Sequence, residues 1–394
     1  MAEPFKLLPD ARDVQAAAAR PAPWYVDADI TRAHTPDKRL YTDAALFEAS
    51  AEAVFARSWQ WLGPTAALPA AGHVAPQAWL PGWRDEPLLL ARDEAGALRC
   101  LSNVCTHRGK VLVEAPGPMA QIRCGYHSRR FDLDGRLRFM PGFEGVCDFP
   151  AASDHLPQYA LGDFAGQAFV ALGPTPPLAE VVAPVAQRLH GLGLGLEMQR
   201  WTHDAAADRE FTFDAHWALY VENYLEGLHI PFVHPGLSAT LDTADYRYEQ
   251  HPHATLQLAL ARDGQAAFTP PPGSPEHGLR VAACYWWLWP NLMLNVYPWG
   301  LSLNLVLPLT PSRTRVLFRA FVNPAADPAL REQGAGGALD PVEMEDEAVV
   351  LSVQRGIRAR AYQRGRYAPQ HEAGVHHFHR LLMAALAGHL PADR

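Results

Sequence analysis

The sequence predicts an α+β protein of two domains, a small β-sandwich followed by a larger domain that mixes helices with strands. The chain has 394 residues, which is too long for one typical domain and gives two domains ample core. Short apolar runs bounded by Gly, Pro and Asp fill the first half, whereas the second half alternates helical and strand patterns. The 35 Pro and 29 Gly residues indicate many turns and therefore a β-rich body.

The first half contains one predicted helix and several predicted strands. Apolar side chains recur at helical spacing over residues 43–57. Runs typical of strands lie at 59–63, 86–92, 98–101 and 164–172. Residues 173–177, with the sequence GPTPP, have the composition of a linker. We therefore expect three units, namely a helical segment at 1–56, a first domain at 57–175 and a second domain at 176–394.

The second half begins and ends with helical patterns that flank a run of strands. Helices are predicted at 178–192, 217–225, 342–362 and 375–387. Strands are predicted at 209–213, across 281–309 and at 314–322. The long central stretch is rich in aromatic and β-branched residues, which favours adjacent strands.

Two short motifs each pair a cysteine with a histidine, Cys105-Thr-His107 and Cys124-Gly-Tyr-His127. This order suits a Rieske [2Fe–2S] cluster, in which two cysteines hold one iron and two histidines hold the other. A structural zinc site with two Cys and two His ligands is the alternative, but zinc fingers pair Cys with Cys and His with His. The mixed pairs favour the iron–sulfur cluster, on two loops at one end of the predicted β-sandwich.

A second pair of histidines, His229 and His234, follows a predicted helix. Histidines five apart do not share one face of an ideal helix, but Pro231 breaks the helix and lets His234 turn back. Two imidazoles and one carboxylate form the facial triad of non-haem Fe(II) oxygenases. The carboxylate must come from elsewhere in the chain, and we choose Asp346, with Glu345 as the second choice.

A further acid, Glu226, lies three residues before His229, so the two side chains share a helix face. A metal-bound histidine usually donates its other ring N–H to a carboxylate, and Glu226 is placed to accept it. Taken alone, the acidic run 343–347 is more often a solvated helix face, and the alternative for Glu226 is an exposed helix acid; once an iron triad is assumed, one of the acids in the run is favoured as its carboxylate.

Charge and cysteine content exclude several functions. The net charge of −8 is spread along the chain, and no basic patch suits a nucleic-acid partner. No apolar run approaches the roughly 20 residues of a membrane span, and the N-terminal residues lack the pattern of a signal peptide. Three cysteines remain outside the two motifs, and an odd remainder argues against a disulfide framework. We expect a cytoplasmic protein that binds neither nucleic acid nor membranes.

In this order the two constellations resemble the oxygenase (α) subunit of the Rieske non-haem iron oxygenases. The resemblance covers nearly the whole chain and rests on the two Cys/His motifs, the segment from Glu222 to His234, and Glu345-Asp346. It implies a Rieske-type β-sandwich domain followed by a helix-grip catalytic domain of the START-like kind, with the helical segment 1–56 packed on the catalytic domain. It also places Asn223 and Glu226 among the catalytic residues.

The resemblance further implies how electrons reach the site. A flavin or iron–sulfur reductase, with a ferredoxin as an optional further carrier, passes electrons from NAD(P)H to the Rieske cluster. The cluster passes them to a mononuclear Fe(II), where O2 is activated. Such subunits usually form head-to-tail homotrimers, in which the cluster of one subunit serves the iron of its neighbour. Glu226 is then expected to bridge its own His229 and His127 of the neighbouring chain.

Two departures from the family pattern concern the bridging acid and the second Cys/His motif. The bridging acid is Asp in most members, whereas the Glu found here is similar to the quaternary-ammonium branch of carnitine and betaine monooxygenases. The second motif usually reads Cys-Pro-x-His-Gly-Trp, and here Gly125, Ser128 and Arg129 replace the Pro, Gly and Trp. We expect these replacements to alter packing around the cluster and not its ligands.

A small quaternary ammonium or betaine-like compound, hydroxylated or N-demethylated, is the predicted substrate. Aromatic residues at 285–289 and 297–299 could hold such a cation through cation–π contacts, or could instead fill the sheet core. A hydroxylase, dioxygenase or O-demethylase acting on an aromatic acid is the main alternative. A Rieske electron carrier without oxygenase chemistry and a zinc-containing ligand-binding protein are weaker ones. The four histidines at 371–379 are predicted to lie on a helix of mixed faces and not to bind a third metal.

Overall fold

The computed structural model describes residues 24–194, 201–331 and 339–390. The strands, in chain order, are β1 (Gln60–Pro64), β2 (His73–Trp79), β3 (Glu86–Arg92), β4 (Leu98–Ser102), β5 (Gly117–Pro118), β6 (Ile122–Arg123), β7 (Arg130–Phe131), β8 (Leu137–Phe139), β9 (Gln158–Phe164), β10 (Gln167–Ala171), β11 (Thr202–His203), β12 (Arg209–Phe213), β13 (Leu241–His251), β14 (Ala254–Ala261), β15 (Val281–Leu288), β16 (Leu292–Tyr297), β17 (Gly300–Thr310) and β18 (Arg313–Val322). The helices are α1 (Ala44–Ser50), α2 (Leu178–Gly191), α3 (Trp217–Tyr224), α4 (Ile230–Val233), α5 (Pro235–Thr240), α6 (Leu339–Ile357) and α7 (Ala373–Leu386). Shorter 3-10 turns lie at Lys38–Tyr41, Thr65–Ala67, Ala152–Asp154, Ala205–Ala207, Pro328–Arg331 and Ala387–His389.

Two antiparallel sheets of the first half carry the two Cys/His motifs. The larger sheet has the strand order β1-β10-β9-β4-β3-β2-β5, and the smaller has the order β6-β7-β8. Buried apolar side chains from both sheets, including Leu89, Ile122 and Phe131, form one cluster with Cys105 and Cys124. The motifs therefore lie on loops anchored in a packed core: one loop follows β4 and the other joins β6 to β7.

One large antiparallel sheet dominates the second half. Its order is β11-β18-β17-β16-β15-β14-β13, and β12 also pairs with β18. Helices α3 and α7 pack against this sheet and against each other, and α6 packs against α3. The ring of Phe378 on α7 packs edge-on against Trp287 of β15, with centroids 5.6 Å apart. One of these helices, α6, carries Asp346, the acid of the second set of candidate metal ligands.

The N-terminal helix packs against the second half of the chain. Helix α1 continues as one π-helical turn over Ala51–Phe55. The ring of Phe55 contacts Trp217 of α3 edge-on, with centroids 5.1 Å apart. The boundaries predicted at residues 56 and 175 remain predictions.

The α+β class is confirmed, and three details of the predicted elements are wrong. Residues 164–172 are not one strand, because Ala165 and Gly166 adopt positive φ (51° and 76°) and form the tight turn between β9 and β10. Helix α6 ends at Ile357 and not at residue 362, directly after Gly356, a weak helix former. Strands β13 and β14 were not predicted: Ala and Leu in β14 favour helices locally, but burial between two neighbouring strands overrides that preference.

Among the described residues, no helix combines the length and the apolar character that a membrane crossing requires.

Two candidate metal centres

The two Cys/His motifs occupy loops with the same backbone geometry. In the first loop, the N–H of Cys105 donates to the carbonyl five residues later (2.8 Å), and the carbonyl of Cys105 accepts from the N–H of Gly109 (3.0 Å). The second loop repeats both bonds around Cys124, at 2.8 and 3.1 Å, with Ser128 in the place of Gly109. Gly109 and Ser128 both adopt left-handed φ, of 74° and 61°. Each loop therefore turns in the same way and contributes one cysteine and one histidine.

The four side chains of these loops suit a Rieske cluster. Cys105 and Cys124 are buried, at 3% and 2% exposure, and the rings of His107 and His127 lie with centroids 4.8 Å apart. The Nδ1 atom of His127 is buried without a hydrogen-bond partner among the described residues, as expected of an atom that binds a metal. Burial opposes ionisation of Cys124, but backbone N–H groups, first that of Tyr126, outweigh it and lower the pKa of the thiol.

A buried cation, Arg129, lies directly after the second loop. Arg129 is 2% exposed, and its guanidinium donates to the Asp154 carboxylate at 2.7 Å. It also lies over the ring of Phe149, 5.6 Å from the ring centre. Burial is the main cause of a lowered pKa at His107, and the charge of Arg129 contributes to the same shift. The electrostatic influence of Arg129 therefore reaches a candidate cluster ligand.

The second centre brings together His229, His234 and Asp346. One ligand atom from each lies within 4.8 Å of the others. The Nε2 atoms of His234 and His229 lie 2.9 and 3.5 Å from Oδ1 of Asp346. Helix α3 ends at Tyr224, His229 precedes the short helix α4, and His234 follows it, with Pro231 in the first turn. The helix ends before His229, and the chain turns again at His234, so both imidazoles face the same carboxylate on α6. Pro231 does not break a helix as expected, because it lies in the first turn of α4, where proline is tolerated.

Neighbouring polar groups fix the orientation of all three side chains. Nδ1 of His229 lies 2.6 Å from a Glu226 oxygen, and Nδ1 of His234 lies 2.7 Å from a Glu345 oxygen. The side-chain amide of Asn223 donates to Oδ1 of Asp346 at 2.6 Å. Because both Nδ1 atoms are engaged, the two Nε2 atoms are the ones directed at Asp346. This arrangement of oriented imidazoles and one carboxylate suits a facial-triad iron site.

The carboxylates around His234 also affect its charge. Burial by itself lowers the pKa of His234, but the hydrogen bonds and charges of Asp346 and Glu345 outweigh burial and raise it. The site is therefore electronegative and attracts a cation.

The second centre opens into a cavity of about 220 Å³ between α3, α6 and the large sheet. The triad lies in its lining, together with Glu226 and Asn223. Five tyrosines contribute to the walls: Tyr220, Tyr224, Tyr246, Tyr285 and Tyr297. Side-chain amides add polar groups, among them Gln257, Asn295 and Asn304. The cavity therefore offers a candidate metal ion, aromatic walls and a few hydrogen-bonding groups to one small ligand.

The aromatic residues named from the sequence divide between the cavity and the core. Tyr285 and Tyr297 line the cavity, whereas Trp286 and Trp287 are fully buried in the core cluster. Trp299 stacks behind Tyr297, with ring centroids 5.1 Å apart. Sequence reasoning did not single out Tyr220, Tyr224 and Tyr246 as wall residues. For Tyr220 and Tyr224 a signal existed, because they lie one turn or less from Asn223 on the same helix.

The histidines near the C-terminus do not converge on a shared site. His376 and His377 contact separate backbone carbonyls, those of Asp27 and His251. His379 is fully buried, with Nδ1 2.7 Å from the Tyr367 hydroxyl. His376, His377 and His379 therefore have different hydrogen-bonding partners.

Comparison with known proteins links both halves of the chain to described families. Residues 58–154 match the family model of the Rieske [2Fe-2S] domain, and residues 197–388 match that of the ring hydroxylating alpha subunit (catalytic domain). Choline monooxygenase of Arabidopsis thaliana is 30% identical over 365 residues, which cover 90% of this chain and 83% of the relative. The carnitine monooxygenase oxygenase subunit of Escherichia coli is 30% identical over 368 residues, which cover 90% and 94%.

Two solved structures share the fold. A quaternary ammonium Rieske monooxygenase superposes with a TM-score of 0.72 at 24% identity, over 93% of this chain and 100% of that one. Naphthalene 1,2-dioxygenase from Rhodococcus sp. superposes with a TM-score of 0.67 at 17% identity, over 91% and 95%.

A Rieske domain joined to a catalytic domain with a two-histidine, one-carboxylate cavity defines the oxygenase component of a multicomponent iron enzyme. The chain belongs to the Rieske non-haem iron oxygenases, as an oxygenase (α) subunit. Its cofactors are a Rieske [2Fe–2S] cluster and a mononuclear iron, its co-substrate is O2, and it needs a reductase partner.

Proposed function

We propose that this oxygenase hydroxylates or N-demethylates a small quaternary ammonium compound. The observation that carries the proposal is the tyrosine-walled cavity whose lining includes His229, His234 and Asp346. Tyrosine faces attract quaternary ammonium groups through cation–π contacts. Relatives that are 30% identical over most of their length are named for choline and carnitine, which supports the same substrate class.

Each centre has an assigned set of ligands in this proposal. Cys105, His107, Cys124 and His127 hold the cluster, and His229, His234 and Asp346 hold the mononuclear iron. When bound, the two groups supply electron storage and O2 activation. The chain's own residues orient the ligands: Glu226 and Glu345 fix the imidazoles, and Asn223 fixes the carboxylate.

The tyrosine walls have the remaining task of placing the substrate. They remove water from the ammonium group and hold it where it lies over the ring faces. The polar amides of Gln257 and Asn295 can orient a hydroxyl or another polar group at the far end of the substrate. A methyl or methylene group then faces the metal side of the cavity.

Electrons are proposed to cross between subunits of a head-to-tail homotrimer, supplied by a flavin or iron–sulfur reductase that uses NAD(P)H. Exposed apolar side chains lie beside both centres: Tyr126 is 57% exposed next to His127, and Phe232 is 74% exposed between the two iron-binding histidines. In the proposed trimer these two side chains are expected to lie at the contact between neighbouring subunits. The five cysteines are all unpaired, which agrees with a reducing cytoplasm as the proposed location.

The test is O2 uptake coupled to product formation with a matched reductase and NADH. Choline, carnitine, glycine betaine and γ-butyrobetaine represent the proposed class, and benzoate and vanillate represent aromatic acids. The proposal predicts coupled turnover with at least one ammonium compound and uncoupled or absent uptake with the aromatic acids. Coupled turnover of an aromatic acid alone would replace the proposed substrate class. A second site that stays empty of iron after Fe(II) reconstitution, without turnover of any compound, would favour an electron carrier.

A further inference from the structure

The cavity contains a buried carboxyl group that takes no part in holding the metal triad. Glu343 lines the cavity and is 3% exposed. Its Oε2 accepts a hydrogen bond from the Tyr220 hydroxyl at 2.7 Å, while its Oε1 has no hydrogen-bond partner among the described residues. A buried acid with one unpaired oxygen is costly, because the desolvation of that oxygen is not compensated. A cation close to this oxygen offsets the cost through its charge, even when it has no N–H to donate.

The contact between Tyr220 and Glu343 resembles the contact between Asn223 and Asp346, the proposed iron ligand, about one helical turn away. Tyr220 and Asn223 lie three residues apart on α3, and Glu343 and Asp346 lie three residues apart on α6. The Tyr220–Glu343 contact therefore lies one turn, about 4.5 Å along the helices, from the Asn223–Asp346 contact of 2.6 Å. A small ligand can reach both the iron side of the cavity and the carboxyl of Glu343.

The surroundings of Glu343 make its ionisation depend on whether a positive charge lies nearby. Burial is the main cause that raises the pKa of Glu343 to about 8, and the nearby charge of Asp346 adds to the shift. The ionised carboxylate is therefore unfavourable in the empty cavity and becomes favourable when a cation enters. The tyrosine faces attract the same cation, but they attract it more weakly than a full opposite charge in a dry cavity.

We propose that Glu343, held by Tyr220, is the residue that selects a positively charged substrate, acting as the counter-charge of its ammonium group. This assignment rests on the proposed function, because it names the group that recognises the ammonium end of that substrate class. The assignment also separates recognition of the substrate's charge from recognition of its shape. The tyrosine walls fit the shape of the ammonium group and attract its charge weakly, whereas Glu343 supplies the full negative charge that a neutral group of the same shape cannot use.

Equilibrium binding to the iron-loaded full-length protein tests this assignment without turnover. Titration calorimetry compares choline with 3,3-dimethylbutan-1-ol, a neutral alcohol in which carbon replaces the nitrogen. The variant Glu343→Gln keeps the size of the side chain and an oxygen for the Tyr220 hydroxyl. We expect its Kd for choline to rise about tenfold while its Kd for the neutral alcohol is unchanged. The control Glu180→Gln removes one exposed negative charge on α2, outside the cavity, and should alter neither Kd.

Three outcomes would overturn the assignment. The first is an unchanged Kd for choline in Glu343→Gln, and the second is an equal loss of affinity for both ligands, which indicates a damaged cavity. The third is a wild-type protein that binds the neutral alcohol as tightly as choline. A protein that binds choline through Glu343 without oxidising any ammonium compound would contradict the proposed reaction and leave this assignment intact.

Discussion

The two candidate metal centres of this chain differ in how their candidate ligands are distributed along the sequence. The Cys/His centre lies within residues 105–127, on two loops that repeat the same pair of backbone hydrogen bonds. The second centre joins His234 to an aspartate 112 residues later, across two helices. The first site is therefore a local structure that depends on two turns. The second exists only when α6 packs against α3 and the large sheet, so it depends on the whole second half of the chain.

The largest expected effect comes from removing one ligand at either centre. Cys105→Ser should eliminate the cluster iron and the sulfide while the mononuclear iron remains, because the two centres lie on separate elements. His234→Ala should do the reverse, and both variants should lose turnover completely. Iron and sulfide analysis, together with EPR of the reduced protein, reports each centre separately. Loss of both centres in either variant would show that they do not form independently.

A large effect is also expected at the acid that orients His229. Glu226→Gln keeps an oxygen for the ring N–H but removes the negative charge, so both metals should stay bound. Coupled turnover should fall by about 100-fold, because a neutral amide no longer polarises the imidazole and, in the proposed trimer, cannot replace the carboxylate as a bridge to the neighbouring subunit. Steady-state assays with metal analysis check this. Near-normal turnover in Glu226→Gln would remove the acid from the coupling between centres.

A moderate effect is expected at Arg129, the buried cation beside the cluster loops. Arg129→Gln removes a positive charge that stabilises the reduced, more negative cluster, so the midpoint potential should fall by tens of millivolts. Arg130→Gln, at the next position but exposed, is the matched control and should shift the potential less because solvent screens its charge. Spectroelectrochemical titration measures both variants. Equal shifts in the two would show that burial of Arg129 has no special influence on the cluster.

The smallest expected effect concerns the pH stability of the second centre's scaffold. His216 begins α3: its Nδ1 accepts from the N–H of Ala218 at 3.2 Å, and burial lowers its pKa to about 3. Below pH 6.5 the unfolded chain gains a proton at this residue that the folded chain cannot accept. Folding stability is therefore unaffected at pH 7 and falls by about 2 kcal/mol by pH 5.

The variant His216→Asn keeps a helix-capping acceptor and removes the titration. The drop in Tm between pH 7 and pH 5 should be smaller in the variant by a few degrees. An identical drop in both proteins would show that His216 does not titrate below its ordinary range.

The same difference between local and distant structure explains what the sequence could predict. Cys105, His107, Cys124 and His127 are recognisable because their spacing alone defines two turns. The sequence offered several neighbouring acids from which Asp346 was chosen. Only the packing of α6 shows that Asp346 faces the Nε2 atoms, whereas Glu345 contacts Nδ1 of His234. Strand β14 was missed because its Ala and Leu residues favour helix until neighbouring strands bury them. The roles of Tyr246 and Glu343 depend on contacts across the cavity, which no local pattern contains.

The metal and acid-labile sulfide content of the purified protein, with absorption spectra before and after dithionite, tests the two-centre account most directly. The account predicts about three irons and two sulfides per chain, with a visible band that dithionite bleaches. Two irons and two sulfides that persist after Fe(II) reconstitution would contradict the site formed by His229, His234 and Asp346. Zinc without sulfide would contradict both centres.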